Sequence, residues 1–234
     1  MSLIYRQNKF YTNAMDASEP SVAVIVDVSK SRSHADRRAL QREIEDAFGQ
    51  VNETVTALQP LAATIGDEFQ AVYTDVGTAA RATLLARLHL PAGVDCRFGL
   101  GLGEIATIGT GVAGVLQDGS AWWSARKAID EARRHEYSKL GFVRTWFSSS
   151  SAEQKADDAR YEALVNAYLL GRDHIVGSMT PRARRLLLGQ LIGATQGELA
   201  AQEGITQSAV SQNLGRSGAN ALMASESLLS GAGS

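Results

Sequence analysis

The order of apolar patterns along the first 147 residues limits the folds that this chain can adopt. Residues 22–28 (VAVIVDV) form a near-continuous apolar run that is long enough for one buried strand, with Asp27 near its end. Residues 33–57 carry apolar side chains at helical spacing. Residues 61–74 hold two short apolar segments around Gly-Asp, a pattern typical of a tight hairpin. This part of the chain therefore predicts a strand, a helix and a β-hairpin.

The segments that follow continue this alternation. A helix is predicted over 77–90, where a Pro-Ala-Gly sequence ends it, and a strand over 94–102. After a glycine-rich loop, a helix is predicted over 119–135 and a last strand over 142–147. The predicted order β-α-β-β-α-β-α-β contains the split βαβ plan of ferredoxin-like domains. We therefore expect an α+β fold with an antiparallel sheet.

A change of composition divides the chain near residue 150. Residues 148–158 (SSSSAEQKADD) are polar and rich in serine, which is typical of a flexible connection. The residues after this segment have helical patterns only. We predict a ferredoxin-fold domain over 1–150 and a small, entirely helical domain over 151–234.

Charge and composition exclude several classes of protein. The net charge is −2, so any contact with nucleic acid must depend on a local patch. The single cysteine, Cys96, rules out a disulfide framework within one chain. No run approaches the roughly 20 apolar residues of a membrane span, and the first residues lack the apolar core of a signal peptide. We therefore expect a soluble cytoplasmic protein without a membrane partner.

The segment TQGELAAQEGITQSAVSQNL, residues 195–214, fits a helix-turn-helix position by position. Gly204 is placed to supply the positive φ of the turn, and Ile205 to fill the space between the two helices. The second helix would bury Val210 and Leu214. Four of its polar side chains would face outward, as side chains that read base edges in a major groove do: Gln207, Ser208, Ser211 and Gln212.

Double-stranded DNA is the partner that this segment predicts. Phosphate contacts would fall to the arginines of the same region, which are Arg182, Arg184, Arg185 and Arg216. Because a helix-turn-helix reads paired half-sites, we expect a homodimer. The alternative is a helical hairpin that serves only for dimerisation.

Four motifs of the N-terminal part resemble class III nucleotide cyclases in order and spacing. They are VIVDVSKSRS, TIGDEFQAVY, RFGLGLGEI and DGSAWWSARKAIDEARR. The resemblance implies that Asp27 and Asp67, with Glu68 adjacent, hold Mg²⁺ or Mn²⁺ on a nucleoside triphosphate. It also implies that Arg126 stabilises the charge of the transition state. Such chemistry needs paired carboxylates for the metal and a cation for the developing charge. The GDEF sequence is also similar to the signature of diguanylate cyclases.

Three positions depart from these patterns. The base-reading lysine of the cyclases is Ala63 here, and the asparagine four residues before Arg126 is Trp122. Ile65 replaces the first glycine of the diguanylate cyclase signature, and its side chain would crowd a nucleotide. The resemblance therefore implies the metal-binding and phosphate-binding half of a site, with the base-reading and catalytic half altered.

The chain as a whole is more specifically similar to the SatD family. The similarity covers nearly all 234 residues, from Asp-x-x-x-Ser-Arg after the first strand to the C-terminal helix-turn-helix. No biochemical activity is established for this family, so the similarity implies an architecture, a nucleotide cyclase-like domain fused to a helix-turn-helix, more than a function.

Each candidate residue also has a structural interpretation. Asp27 could cap the next helix, and Asp67 and Glu68 could be ordinary turn residues. Lys30 and Arg32 would either reach a ligand phosphate or form a solvated charge pair.

Arg126 could form an ion pair with Glu104 or Asp118 instead of contacting a ligand. Trp122 and Trp123 are about 100° apart on a helix, so we expect one in the core and the other available for stacking.

Two functions of different class follow from these patterns. The first is a DNA-binding transcription regulator whose cyclase-like domain senses a nucleotide with its metal, or mainly dimerises. The alternative is an active Mg²⁺-dependent nucleotide cyclase or a related nucleotidyltransferase. The predicted helix-turn-helix favours the regulator, as does Ala63 in the place of the base-reading lysine.

Overall fold

The computed structural model describes residues 20–29, 36–64, 67–111, 114–150, 156–229 and 231. The strands within this part are β1 (Ser21–Val28), β2 (Gln59–Ala63), β3 (Glu68–Tyr73), β4 (Cys96–Gly103), β5 (Ala106–Gly111), β6 (Gly114–Asp118) and β7 (Thr145–Ser149). The helices are α1 (Arg37–Thr54), α2 (Val76–His89), α3 (Ser120–Glu136), α4 (Ala156–Ser178), α5 (Pro181–Leu191), α6 (Gln196–Glu203), α7 (Gln207–Arg216) and α8 (Ala219–Leu229).

Five strands form one sheet in the order β2-β3-β1-β4-β7. All neighbours in this sheet are antiparallel except β4 and β7, which run parallel. The expected α+β fold with a mainly antiparallel sheet is therefore confirmed.

The apolar run of β1 is continuous because both faces of this central strand are covered. Val22, Val24 and Val26 pack in the core beneath α1 and α2. Ala23 and Ile25 point the other way, into a smaller core beneath α3. A strand with an apolar core on each side has no solvent face that requires polar residues.

Glycines of β4 allow α3 to lie directly on the sheet. A Cβ atom added at Gly99 would lie 2.4 Å from the carbonyl oxygen of Ala125, and one at Gly103 would lie 2.6 Å from the backbone nitrogen of Ala121. The alternating glycines of RFGLGLG therefore leave room for the helix backbone. This contact fixes where the charged side chains of α3 meet the end of β1.

The segment after β4 differs from the prediction. We expected a glycine-rich loop, whereas β5 and β6 pair antiparallel as a separate two-stranded sheet. The pairing is irregular, with a register shift between Thr107 and Gly109. Four glycines within or next to the two strands weaken the alternating pattern by which a strand is recognised, whereas backbone pairing does not require that pattern.

The C-terminal helices pack on the sheet and on α2. In α4, Leu169 joins the main core, and the amide of Asn166 both donates to and accepts from the backbone of Phe147 in β7, at 2.9 Å each. Leu84 and Leu88 of α2 enter the core formed by α5 to α8. Because the helices α5 to α8 share a core with α2, the division of the chain into two domains at residue 150 stays a prediction.

No helix within the described ranges is both long enough and apolar enough to cross a membrane.

Candidate functional site

The end of β1 places two carboxylates side by side. Asp27 is the direct cross-strand partner of Glu68 in β3 and of Arg97 in β4. Residues opposite each other in neighbouring strands share a face, which here is the face covered by α3. The structure therefore brings Asp27 and Glu68 together.

Arginines from α3 and β4 neutralise both carboxylates. Asp27 accepts hydrogen bonds from Nε of Arg97 at 2.7 Å and from Nη2 of Arg133 at 2.5 Å. Glu68 accepts two from Arg126, at 2.7 and 3.0 Å. The hydrogen bonds to Glu68 raise the pKa of Arg126. Arg126 thus pairs with Glu68 rather than with Glu104 or Asp118.

The cluster continues to the end of α3. Glu136 is nearly buried and accepts from Arg97 at 2.6 Å and from the Ser29 hydroxyl at 2.6 Å. Arg97, Arg133 and Glu136 were not among the site residues predicted from the sequence. Arg97 had one available signal, because it is the only charged residue in an otherwise apolar and glycine-rich strand.

The cluster does not form a ready-made metal site. Across the part of the chain that the structure describes, no group of three or more His, Cys, Asp or Glu side chains is placed to hold a metal ion. Asp27 and Glu68 offer carboxylate oxygens that guanidinium groups already engage. Mg²⁺ often takes only one or two protein carboxylates together with substrate phosphates. These residues therefore fit Mg²⁺ only if an anion engages the arginines at the same time.

Asp67 lies apart from this cluster. It lines a cavity between α1 and the β2–β3 hairpin, together with Ala63 and Thr64. Lys30, Arg32 and Ile65 fall outside the described residues, so their predicted roles stay predictions.

The two adjacent tryptophans differ in exposure, as expected. Trp122 packs against the small core beneath α3, and Trp123 is 67% exposed.

A second polar surface lies on α7. Gly204 ends α6 in the left-handed conformation at φ 64°, and the Thr206 hydroxyl accepts from the backbone of Ala209 as the N-cap of α7. Val210 and Leu214 are buried in the helical core. The predicted outward residues are all exposed, namely Gln207, Ser208, Ser211 and Gln212.

The arginines near α7 differ in their partners. Arg185 donates to Glu203 at 2.6 and 2.8 Å, and Arg182 donates to the same carboxylate at 3.3 Å. The hydrogen bonds from Arg185 lower the pKa of Glu203. Arg216 is exposed and makes no ion pair with any described residue. Glu203, one helical turn beyond Leu199 and next to Gly204, was not among the residues predicted from the sequence.

Comparisons with known proteins place the chain in a family. No curated protein matches it. A solved structure of a bacterial light-regulated adenylyl cyclase is similar at 16% identity over 50% of this chain and 71% of the cyclase chain, with a TM-score of 0.41. A likeness this weak indicates neither activity nor ligand. The sequence profile of the SatD family matches residues 21–227, which is most of the chain. The chain therefore belongs to the SatD family.

Proposed function

We propose that this protein is a DNA-binding transcription regulator whose N-terminal part senses a nucleotide or dimerises. The observation that carries the proposal is the polar surface of α7, whose exposed amides and hydroxyls start at its N-terminal end. Side chains of this type at the start of a recognition helix read base edges in the major groove.

The arrangement of α5 to α7 supports a helix-turn-helix. The helices α6 and α7 are short, and Gly204, Ile205 and Thr206 connect them. Their apolar faces meet α5 in one core. This leaves the polar face of α7 free to contact a groove, as the recognition helix of such a motif does.

The strand order supports a ferredoxin-like, nucleotide cyclase-like N-terminal part. Strands β2-β3-β1-β4 are antiparallel neighbours, and α1 and α2 contribute to the core on one face. A homodimer would present two copies of α7 to paired half-sites on DNA.

Base contacts and phosphate contacts should respond differently to substitution. After a preferred duplex has been selected from a random pool, Gln207→Ala or Ser211→Ala is expected to relax base preference at one position by about 1–3 kcal/mol. Arg216→Gln is expected to weaken binding to all sequences and to lower the salt dependence. Fluorescence anisotropy over a salt series measures both effects. Sedimentation of the complex is expected to give two chains per duplex, as a homodimer requires.

Glu203→Gln supplies the opposite test. It would release Arg182 and Arg185 from their shared carboxylate, so nonspecific binding should strengthen. Glu53→Gln, an exposed glutamate of α1, is the matched control and should change nothing. Random-pool selection that enriches no duplex would remove the DNA-binding proposal.

The alternative function, a Mg²⁺-dependent cyclase or nucleotidyltransferase, draws on the charged cluster of α3. Asp27 and Glu68 would hold the metal, and Arg126 would turn to phosphate oxygens. Ala63 and Trp122 occupy the positions where the cyclases have the lysine and the asparagine. For this reason we favour binding without turnover.

Metal and nucleotide should act only together at this cluster. Mg²⁺ alone is expected to leave Tm unchanged, because Asp27 and Glu68 already hold guanidinium groups. Mg²⁺ with a nucleoside triphosphate is expected to raise Tm above the value reached with the nucleotide in EDTA, and Asp27→Asn to remove this Mg²⁺-dependent part of the rise. Asp157→Asn, an exposed aspartate of α4, is the control. Formation of a cyclic product that Asp27→Asn abolishes would establish the enzyme instead.

A further inference from the structure

A cavity of about 650 Å³ lies between the first turns of α1 and the β2–β3 hairpin. This volume is within the range of about 300–1,000 Å³ that small-molecule sites occupy. The cavity is on the face of the sheet opposite the carboxylate cluster. Its walls come from α1, from the end of β1 and from the hairpin.

The α1 side of the cavity carries three arginines, namely Arg37, Arg38 and Arg42. All three are exposed, and none of their side chains makes a hydrogen bond or ion pair with another described side chain. Like charges four residues apart on a helix, such as Arg38 and Arg42, repel each other. The arginine side of this cavity is therefore positive.

The position of these arginines on α1 adds to the positive potential. The N-terminus of a helix carries partial positive charge and normally attracts acidic side chains. The first turn of α1 contains no acidic residue, and Asp36 caps the helix from outside. Cations at this end of a helix interact unfavourably with its dipole, and a bound anion would offset that interaction.

The floor of the cavity is apolar. Val28, Leu40 and Ile44 lie beneath the arginines, and Ala63 lies on the hairpin side. A cavity that is positive on one side and apolar on its floor matches a ligand with an anionic group attached to an apolar or aromatic body. Asp67 and Thr64 line the hairpin side of the cavity, where the Thr64 hydroxyl donates to the backbone carbonyl of Glu68 at 3.1 Å.

We propose that this cavity binds a small phosphate ester, with Arg38 and Arg42 holding the phosphate and the apolar floor holding the organic part. Guanidinium groups form paired, charge-assisted hydrogen bonds with phosphate oxygens. The proposal deepens the sensing role proposed above and rests on it for its biological meaning. The site needs no metal ion, and it is separate from Asp27 and Glu68.

Calorimetric titration of the full chain in EDTA tests this site without a metal ion. The probes are pyrophosphate and, separately, a nucleoside triphosphate. Both are expected to bind in saturable fashion, with the nucleotide tighter because its base covers the apolar floor. The double variant Arg38→Gln/Arg42→Gln is expected to weaken both at least about tenfold. Arg160→Gln, which lies far along the chain on α4, is expected to bind as the wild type does.

Stability without ligand separates a lost site from a lost fold. Because the double variant removes like charges from the positive end of α1, its Tm without ligand should equal or exceed that of the wild type. Saturable binding that the double variant retains would overturn the proposal, as would a wild type that binds neither probe. Loss of duplex DNA binding in the double variant would also overturn it, because the arginines would then be a nucleic-acid surface. If the double variant binds duplex DNA as the wild type does, its loss of phosphate binding is specific to the cavity and is independent of the DNA-binding proposal.

Discussion

Gly101→Ala is expected to destabilise the protein by more than about 3 kcal/mol, although it adds a single methyl group. The added Cβ would lie 2.1 Å from the backbone nitrogen of Ala125 and 2.2 Å from the carbonyl oxygen of Ala121. Both atoms belong to the backbone of α3, so no side-chain rotation can relieve the contact. The helix would have to move away from β4. Arg126 and Arg133 would move with the helix and lose their ion pairs with Glu68 and Asp27. Urea denaturation followed by circular dichroism measures the loss.

Gly49→Ala is the matched control for this substitution. Gly49 lies inside α1, and an added Cβ would meet no atom within 4 Å. Alanine is favoured over glycine inside a helix by about 1 kcal/mol, so this variant should be as stable as the wild type or more stable. Equal urea midpoints for Gly101→Ala and the wild type would show that α3 does not pack as closely as described.

Asp173→Ala is expected to cost about 3–5 kcal/mol, which corresponds to a fall in Tm of about 10 °C. Asp173 is fully buried and lies between the buried guanidinium groups of Arg87, at 3.2 Å, and Arg172, at 3.3 Å. It also accepts from the backbone nitrogens of Arg144 and Thr145, at 2.7 and 2.6 Å. Its removal leaves buried cations and buried backbone donors without their partner.

Arg87 shows why the charge of Asp173 matters. Burial alone would lower the pKa of Arg87, but Asp173 and Asp95 raise it overall. Asp157→Asn, an exposed aspartate in the first turn of α4, is the control and should cost less than about 1 kcal/mol. Differential scanning calorimetry of both variants measures the difference. In a chain of this size each kcal/mol of lost stability lowers Tm by about 2–4 °C. A Tm for Asp173→Ala within about 2 °C of the wild type would therefore refute a stabilising role for the ion pairs and hydrogen bonds of Asp173.

Helix boundaries were the most predictable part of the chain. We expected one helix to end before the Pro-Ala-Gly sequence and a turn at Gly204, and the structure has both. Capping and turn formation involve side chains within a few residues of the backbone groups they satisfy, so the local sequence contains the information. The hairpin of β2 and β3 was predictable for the same reason.

The partners of the charged residues were not predictable. Asp27 and Glu68 were identified as candidates, but their pairing with Arg133 and Arg126 depends on the register between β1 and β3 and on the position of α3. Asp67 and Glu68 are adjacent in sequence, yet Asp67 lines the cavity beside α1 while Glu68 faces α3. Successive side chains along an extended backbone point to opposite faces, so only the folded sheet decides which carboxylates meet.

Local patterns were enough to predict the order and type of most elements, the buried central strand and the outward polar face of α7. These properties follow from periodicity, capping and turn chemistry, which act over a few residues. Long-range packing set the contact of the C-terminal helices with α2 and the neutralisation of Asp27 and Glu68 by arginines. Contacts of this kind join residues far apart in the chain, so they depend on packing and register that no local pattern specifies.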